Sequence, residues 1–280
     1  MSGSRILVTG SGGMLGQDLL GVLKRQPDLD VTALTRADLD VTDEAAVFAA
    51  VAGQDAVLNA AAWTDVDGAE AREADATAVN GTGVAHLAAA CAATGARLVH
   101  VSTDYVFRGD GVSPYPEDAP TDPINAYGRG KLVGERAVLA AGGYVVRTAW
   151  LYGAHGRNFV ATMLRLAGER DTLEVVDDQR GQPTWSYALA SRLVELAFAD
   201  APAGIYHGTA SGETTWYGLA RAAFALSGLD PDRIRPTTSD RYVRPAPRPA
   251  YSVLGHERWA LAGLPPMEDW QTMLSGYLRG

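Results

Sequence analysis

The sequence has 280 residues and a mass of 29.5 kDa, with 47% hydrophobic and 20% charged residues. This composition excludes a disordered chain, and the length predicts two lobes, or one large domain with an extension. The formal net charge of −9 excludes a broad nucleic-acid-binding face, and no apolar run reaches the roughly 18–20 residues of a membrane span.

The chain begins with a short polar segment that leads directly into a strand-like run, without the features of a signal peptide. We therefore expect a cytoplasmic protein. Short β-branched apolar runs then alternate with longer segments of helical spacing. The runs are predicted as strands at 6–9, 31–34, 56–59, 98–102 and 144–147, and the longer segments as helices at 14–25, 43–51, 69–93 and 127–140. This alternation predicts an α/β fold with a doubly wound parallel sheet.

The pattern changes after residue 108. Residues 108–126 contain four prolines and several acidic residues, which is typical of an irregular loop. A strand at 173–176 and a helix at 187–199 can still belong to the sheet domain. We therefore expect residues 1–150, with about 173–204 returning to them, to form the sheet domain. Residues 151–172 and 205–280 would form a smaller lobe over the carboxyl edge of the sheet.

The first strand runs into a glycine-rich turn. Gly10, Gly13 and Gly16 follow one another at three-residue intervals where the strand becomes a helix. Such a turn lets a diphosphate approach the backbone and the helix N-terminus closely. A glycine triplet alone is a weak signal, but its place at the first strand–helix junction predicts a dinucleotide site. After the second strand comes Arg36, which favours NADPH because an arginine there can pair with a 2′-phosphate; the alternative is a solvated loop arginine.

A tyrosine and a lysine stand one helical turn apart at Tyr127 and Lys131. With 11 tyrosines and two lysines, the chance expectation for this spacing is 11 × 2/280, or about 0.08. The pair can transfer a proton, since a neighbouring ammonium favours the phenolate form of tyrosine. Thr103 follows the fourth strand, where its hydroxyl can meet a substrate oxygen; Ser102 is the alternative donor. Cys91 is the only cysteine and the five histidines are scattered, so we assign no metal ligand.

Together these motifs resemble an extended short-chain dehydrogenase/reductase, an NAD(P)-binding Rossmann protein, and more specifically the dTDP-4-dehydrorhamnose reductases. The similarity covers nearly the whole chain. Its most specific segments are 59–70, 102–107, 147–153, 158–164 and 178–184, the last of which reads Asp-Gln-Arg-Gly-Gln-Pro-Thr.

The resemblance implies a role for each matching residue. Tyr127 would donate the proton, Lys131 would assist it and hold the nicotinamide ribose, and Thr103 would complete the catalytic set. The residues expected to contact the cofactor are Gly10, Gly13, Met14, Leu15, Gly16, Arg36, Asp40, Val41, Ala61, Ala62, Trp63, Thr64, Tyr127 and Lys131. Those expected to contact the substrate are Thr103, Asp104, Trp150, Asn158 and Arg248, with Trp150 stacked on the nucleotide base and Arg248 paired with the diphosphate.

We therefore expect an enzyme that uses NADPH, with NADH as the alternative cofactor, to reduce the C4 ketone of a dTDP-4-keto-6-deoxyhexose, chiefly dTDP-4-dehydro-L-rhamnose. The alternatives are a reductase of another dTDP-deoxysugar in a secondary-metabolite pathway, a nucleotide-sugar dehydratase or epimerase, and a non-catalytic cofactor-binding regulatory subunit. A dehydratase usually has an acid after Asp104, where this chain has Tyr105. The expected partner is the dTDP-sugar, with no nucleic acid and no membrane, in a monomer or homodimer.

Overall fold

The computed structural model describes residues 3–280. Its strands are β1 (Ser4–Thr9), β2 (Leu29–Leu34), β3 (Ala56–Asn59), β4 (Arg97–Thr103), β5 (Tyr144–Thr148), β6 (Leu151–Tyr152), β7 (Leu173–Val176), β8 (Arg180–Gly181), β9 (Thr184–Trp185), β10 (Gly204–His207), β11 (Thr214–Thr215) and β12 (Ile234–Thr237). Its α-helices are α1 (Met14–Leu23), α2 (Glu44–Val51), α3 (Val66–Ala71), α4 (Glu73–Thr77), α5 (Val84–Thr94), α6 (Ala126–Ala140), α7 (Phe159–Ala167), α8 (Ser186–Phe198), α9 (Trp216–Leu226) and α10 (Trp270–Arg279).

The central sheet has six parallel strands in the order β10-β5-β4-β3-β1-β2. Alternate side chains of each strand enter two separate cores. Ile6 and Val8 of β1 pack with α1 and α8, whereas Leu7 packs with α2 and α5 on the opposite face. The predicted doubly wound α/β fold is therefore confirmed. Since β2 and β3 lie on opposite sides of β1, the sheet has a topological switch point beside β1.

The smaller lobe is assembled from chain segments between 150 and 280. Strand β7 pairs in parallel with β12, where α7 and α9 pack against it. Of residues 173–204, which the sequence assigns to the sheet domain, α8 packs on α1 but β7 lies in the smaller lobe with β12. Strand β10, most of which falls in the range 205–280 assigned to the smaller lobe, extends the large sheet beside β5. Periodicity gives a strand's existence but not its pairing partner, which long-range contacts decide.

The helix predicted over 69–93 is divided into four parts. Helices α3 and α4 are followed by a π-helical segment, Ala78–Gly83, before α5 begins. Two glycines in this segment allow close packing: a Cβ on Gly81 would lie 2.9 Å from Val133, and one on Gly83 would lie 2.7 Å from Val41. The segment therefore approaches its neighbours more closely than a helix of larger residues could.

Helix α6 has a defined start. The side chain of Asn125 accepts a hydrogen bond from the Gly128 N–H at 2.8 Å and donates one to the Pro247 carbonyl at 3.0 Å. The cap therefore fixes both the first turn of α6 and the segment that carries the late prolines. Within residues 3–280, no helix is long and apolar enough to cross a membrane.

Candidate active site

A cavity of about 1130 Å³ lies beyond the carboxyl ends of the central strands, between the sheet and the smaller lobe. It collects most of the residues singled out from the sequence. They are Gly10, Gly13, Met14, Leu15, Gly16, Arg36, Asp40, Val41, Ala61, Ala62, Trp63, Thr64, Thr103, Asp104, Tyr127, Lys131 and Trp150. Residues that are far apart in sequence thus meet where a doubly wound sheet binds its ligands.

The glycine turn leaves no room for a side chain at two of its positions, so its backbone can approach a dinucleotide closely. Gly10 has a φ of 69°, and a Cβ there would lie 2.5 Å from the Ala61 nitrogen. A Cβ on Gly16 would lie 2.2 Å from the Gly10 carbonyl oxygen. Helix α1 begins at Met14, and no side chain caps its N-terminus. Its first N–H groups are therefore available to a diphosphate.

The charge around Arg36 suits a phosphate group. Two acids follow it closely, but each is engaged in its own turn: Asp38 accepts hydrogen bonds from Thr35, and Asp40 accepts them from Thr42. These bonds lower the pKa of both carboxyls. Within residues 3–280 no carboxylate forms an ion pair with Arg36, which is exposed at the cavity. Its guanidinium is thus free to bind an anion.

Thr103, Tyr127 and Lys131 all line the cavity. Lys131 is 2% exposed, and its Nζ donates to the Val101 carbonyl at 2.7 Å. Thr103 is the last residue of β4, and its hydroxyl donates a hydrogen bond to the Asp104 carboxylate at 3.0 Å. Burial lowers the pKa of Lys131 to about 8. The set therefore combines a phenol, a hydroxyl and a buried amine at one end of the sheet.

Tyr127 is held as a neutral phenol. Burial raises its pKa above that of free tyrosine, the charge of Asp104 adds to this, and hydrogen bonding with Thr103 opposes it. The structure thus differs from the expectation that the ammonium favours the phenolate, because burial dominates and Lys131 is directed at Val101. A neutral phenol is the form that a proton donor requires. Burial also raises the pKa of Asp104 to about 6.

The ring of Trp150 lies against another tryptophan. Trp150 and Trp216 are stacked with centroids 3.6 Å apart and an interplanar angle of 10°. Among residues 3–280, Trp150 is the non-glycine residue with a positive φ, at 47°, in the left-handed region that such residues rarely adopt. The structure places both rings in the cavity wall, so base stacking by Trp150 stays a prediction.

Two expected substrate residues do not line the cavity. Asn158 caps α7 by accepting from the Ala161 N–H at 2.9 Å. Arg248 lies 3.0 Å from a carboxylate oxygen of Asp67 and donates to the Ala246 carbonyl. Their proposed contacts with substrate stay predictions.

Some residues that line or support the cavity could not be found from motifs. Arg157 and Trp216 line the cavity from the smaller lobe. Asn80, in the π-helical segment, is fully buried and holds both the N–H and the carbonyl of Trp63, at 2.9 and 3.0 Å. No spacing rule links these positions to the glycine turn. The irregular helix is the signal that could have indicated Asn80, since π-turns often occur at functional sites.

Comparison with known proteins gives a consistent result. The family model described as RmlD substrate binding domain matches residues 4–280. A dTDP-4-dehydrorhamnose reductase of Streptomyces griseus is 56% identical, covering 97% of this chain and 92% of the relative. A dTDP-4-keto-6-deoxy-D-glucose reductase of Streptomyces niveus is 51% identical over 97% and 95%. A Bacillus anthracis dTDP-4-dehydrorhamnose reductase, solved in complex with NADP, superposes with a TM-score of 0.95 at 33% identity, covering 99% of both chains.

Proposed function

The chain belongs to the dTDP-4-dehydrorhamnose reductase family, and from this membership we propose that it converts dTDP-4-dehydro-L-rhamnose to dTDP-L-rhamnose. It is an NADPH-dependent oxidoreductase that reduces the keto group of a dTDP-4-keto sugar. The observation that carries the proposal is the meeting of Thr103, Tyr127 and Lys131 with the glycine turn in one cavity.

In the proposed mechanism, NADPH bound at the glycine turn would supply the hydride for C4 of the sugar. Tyr127 donates its phenolic proton to the ketone oxygen, so that the carbonyl becomes an alcohol. The Thr103 hydroxyl holds the same oxygen in place. Lys131, as an ammonium, stabilises the negative charge left on Tyr127 and would hold the nicotinamide ribose. The uncapped N-terminus of α1 would hold the cofactor diphosphate.

The exact sugar is the open part of the proposal, because a 51% identical relative is named for dTDP-4-keto-6-deoxy-D-glucose. Incubating the enzyme with NADPH and each 4-ketosugar separately, with absorbance at the NADPH band and NMR of the product, tests it. We expect the highest kcat/KM with dTDP-4-dehydro-L-rhamnose. A higher value with another ketosugar assigns the chain to that substrate.

A dehydratase or a regulatory subunit is less well supported. Tyr105 occupies the position after Asp104, and its ring meets Tyr127 edge-on at 6.0 Å between centroids, at 87°. An apolar ring edge there provides no base for removing water. Net NADPH oxidation separates the reductase from both alternatives, since a dehydratase recycles its nicotinamide and a regulatory subunit consumes none. The proposal includes a cytoplasmic monomer or homodimer, which cell fractionation and light scattering test.

Replacing Arg36 by alanine should raise the KM for NADPH about 10- to 100-fold, since hydrogen bonds to a charged group contribute about 1.5–3 kcal/mol. The KM for NADH, which has no 2′-phosphate, should change less than about threefold on the same reasoning. Steady-state kinetics with both cofactors measure the effect. Arg170→Ala, an exposed arginine in the smaller lobe, is the matched control. Equal effects on both cofactors would contradict a 2′-phosphate contact.

The activity should fall at alkaline pH because Lys131 loses its charge. Burial lowers its pKa to about 8, so the ammonium is present below that pH and the neutral amine above it. We expect kcat/KM to decline about tenfold per pH unit above pH 8. Tyr127 does not cause this decline, since its pKa is raised. Lys131→Arg should be less active but should lose the decline; a decline that persists in that variant would assign it to another group.

A further inference from the structure

An ion pair is buried behind the proposed catalytic helix. Arg147 of β5 and Glu135 of α6 are each 1% exposed. The guanidinium donates from Nε to Oε1 at 2.9 Å and from Nη2 to Oε2 at 2.8 Å. Both charges have been removed from water, and such a pair is weak evidence for stability, because apolar residues often serve equally well. Stability alone therefore does not account for the pair.

A third residue joins the pair. The Ser102 hydroxyl donates to Glu135 Oε1 at 2.6 Å, a short bond to a charged acceptor. Ser102 and Arg147 are register partners on adjacent strands. Glu135 therefore binds two neighbouring strands to α6. Ser102 and Thr103 both border the cavity, but they differ in their partners, because the Ser102 hydroxyl donates to Glu135 and the Thr103 hydroxyl donates to Asp104.

The bonds from α6 fall on consecutive residues of β4. Lys131 binds the Val101 carbonyl, and Glu135, one turn later, binds the Ser102 side chain. The next residue is Thr103. Tyr127 lies one turn before Lys131 on the same helix. The distance between the hydroxyl and the phenol thus depends on how β4 is attached to α6.

We propose that Glu135, held by Arg147, is a positioning residue that fixes the end of β4 against α6 through Ser102 and so aligns Thr103 with Tyr127. This inference rests on the proposed function, since it concerns the same reacting groups. Misplacement of reacting groups by about 1 Å can lower the rate by about 10²-fold. The rate that the attachment preserves can therefore outweigh the free-energy cost of burying the two charges.

Glu135 also affects the charge on Lys131. Its carboxylate favours the ammonium form, against the effect of burial. The other titratable groups that face this region are His100 of β4, whose pKa burial keeps well below its ordinary value, His207 of β10 beside Arg147, whose pKa burial lowers to about 3, and Tyr127 and Asp104 at the cavity. His100 is thus neutral at the working pH, and Glu135 supplies the negative charge on the helix side of Lys131.

The first test is Ser102→Ala, which removes one hydrogen bond and leaves the ion pair intact. We expect kcat to fall about tenfold with the KM for NADPH unchanged, because the change misplaces Thr103 and not the cofactor. Ser102→Thr keeps the hydroxyl and should restore kcat. Ser191→Ala, which removes a serine bond to the Tyr187 carbonyl in α8, is the matched control and should have wild-type kcat. Hydrogen exchange of residues 97–107 in the cofactor-free protein should be faster only in Ser102→Ala.

The second test is the double replacement Glu135→Leu/Arg147→Met, which avoids leaving one buried charge alone. We expect a melting temperature close to that of the wild type, kcat lowered at least about tenfold, and an alkaline decline of kcat displaced about one pH unit lower. A purely structural pair would not move the pH profile. If the double variant does not fold, the Ser102 series decides the question alone.

The outcomes separate this inference from the proposed function. If the wild type consumes no NADPH with any 4-ketosugar, the proposed function fails. If the wild type is active and Ser102→Ala has wild-type kcat and exchange, the inference is wrong while the function stands. A folded double variant with the kcat and the pH profile of the wild type would also show that the inference about Glu135 is wrong.

Discussion

Replacing Tyr127 by phenylalanine is expected to lower kcat for ketosugar reduction by a factor of about 10²–10⁴, the usual contribution of a positioned proton donor. The ring and its edge-on contact with Tyr105 are retained, and only the hydroxyl is lost. Cofactor affinity should therefore stay at the wild-type level. NADPH oxidation under saturating ketosugar measures the first quantity, and fluorescence titration with NADPH measures the second.

The control for this variant is Tyr144→Phe. Its hydroxyl donates to the Ala201 carbonyl at 2.7 Å, a buried bond between β5 and the segment before β10. That variant loses a hydroxyl of the same kind outside the cavity lining, so we expect unchanged kcat. Near-wild-type turnover in Tyr127→Phe would eliminate Tyr127 as the proton donor, whereas equal losses in both variants would indicate a general effect on folding.

Replacing Gly16 by alanine is expected to weaken NADPH binding at least about 100-fold, since the added methyl must displace the turn that binds the diphosphate. The new Cβ would lie 2.2 Å from the Gly10 carbonyl oxygen and 2.7 Å from the Ser11 Cα, both backbone atoms that cannot rotate away. The same clash should lower the free energy of unfolding by about 1–3 kcal/mol. Fluorescence titration and urea unfolding measure the two effects.

Gly21→Ala provides a matched control on the same helix. Gly21 is exposed, and a Cβ there would meet no atom within 4 Å. Alanine should therefore raise the free energy of unfolding by up to about 1 kcal/mol, because it has the higher helix propensity. NADPH affinity should not change. Wild-type affinity in Gly16→Ala would show that the turn tolerates a side chain and does not bind the diphosphate closely.

The limits of sequence reasoning are visible at particular residues. The strand at 56–59 was placed with the observed bounds, because an apolar run between turn residues has one local interpretation. The helix at 69–93 was placed as one element, although a π-helical segment interrupts it where Gly81 and Gly83 approach other parts of the fold. Arg248 was expected at a diphosphate, and in the structure it pairs with Asp67, 181 positions away.

The sequence by itself determined the α/β fold and indicated the proposed reacting groups, because these follow from local features: apolar periodicity, a glycine triplet after a strand, and a tyrosine and lysine one turn apart. The family followed from the resemblance of longer segments of the chain. Only the tertiary structure decided which lobe holds β7, that the Ser102 hydroxyl binds Glu135, and that burial raises the pKa of Tyr127. The physical reason is the distance along the chain over which each effect acts. Periodicity and turn chemistry act within a few residues, whereas strand pairing, ion pairing and desolvation depend on groups that only folding brings together.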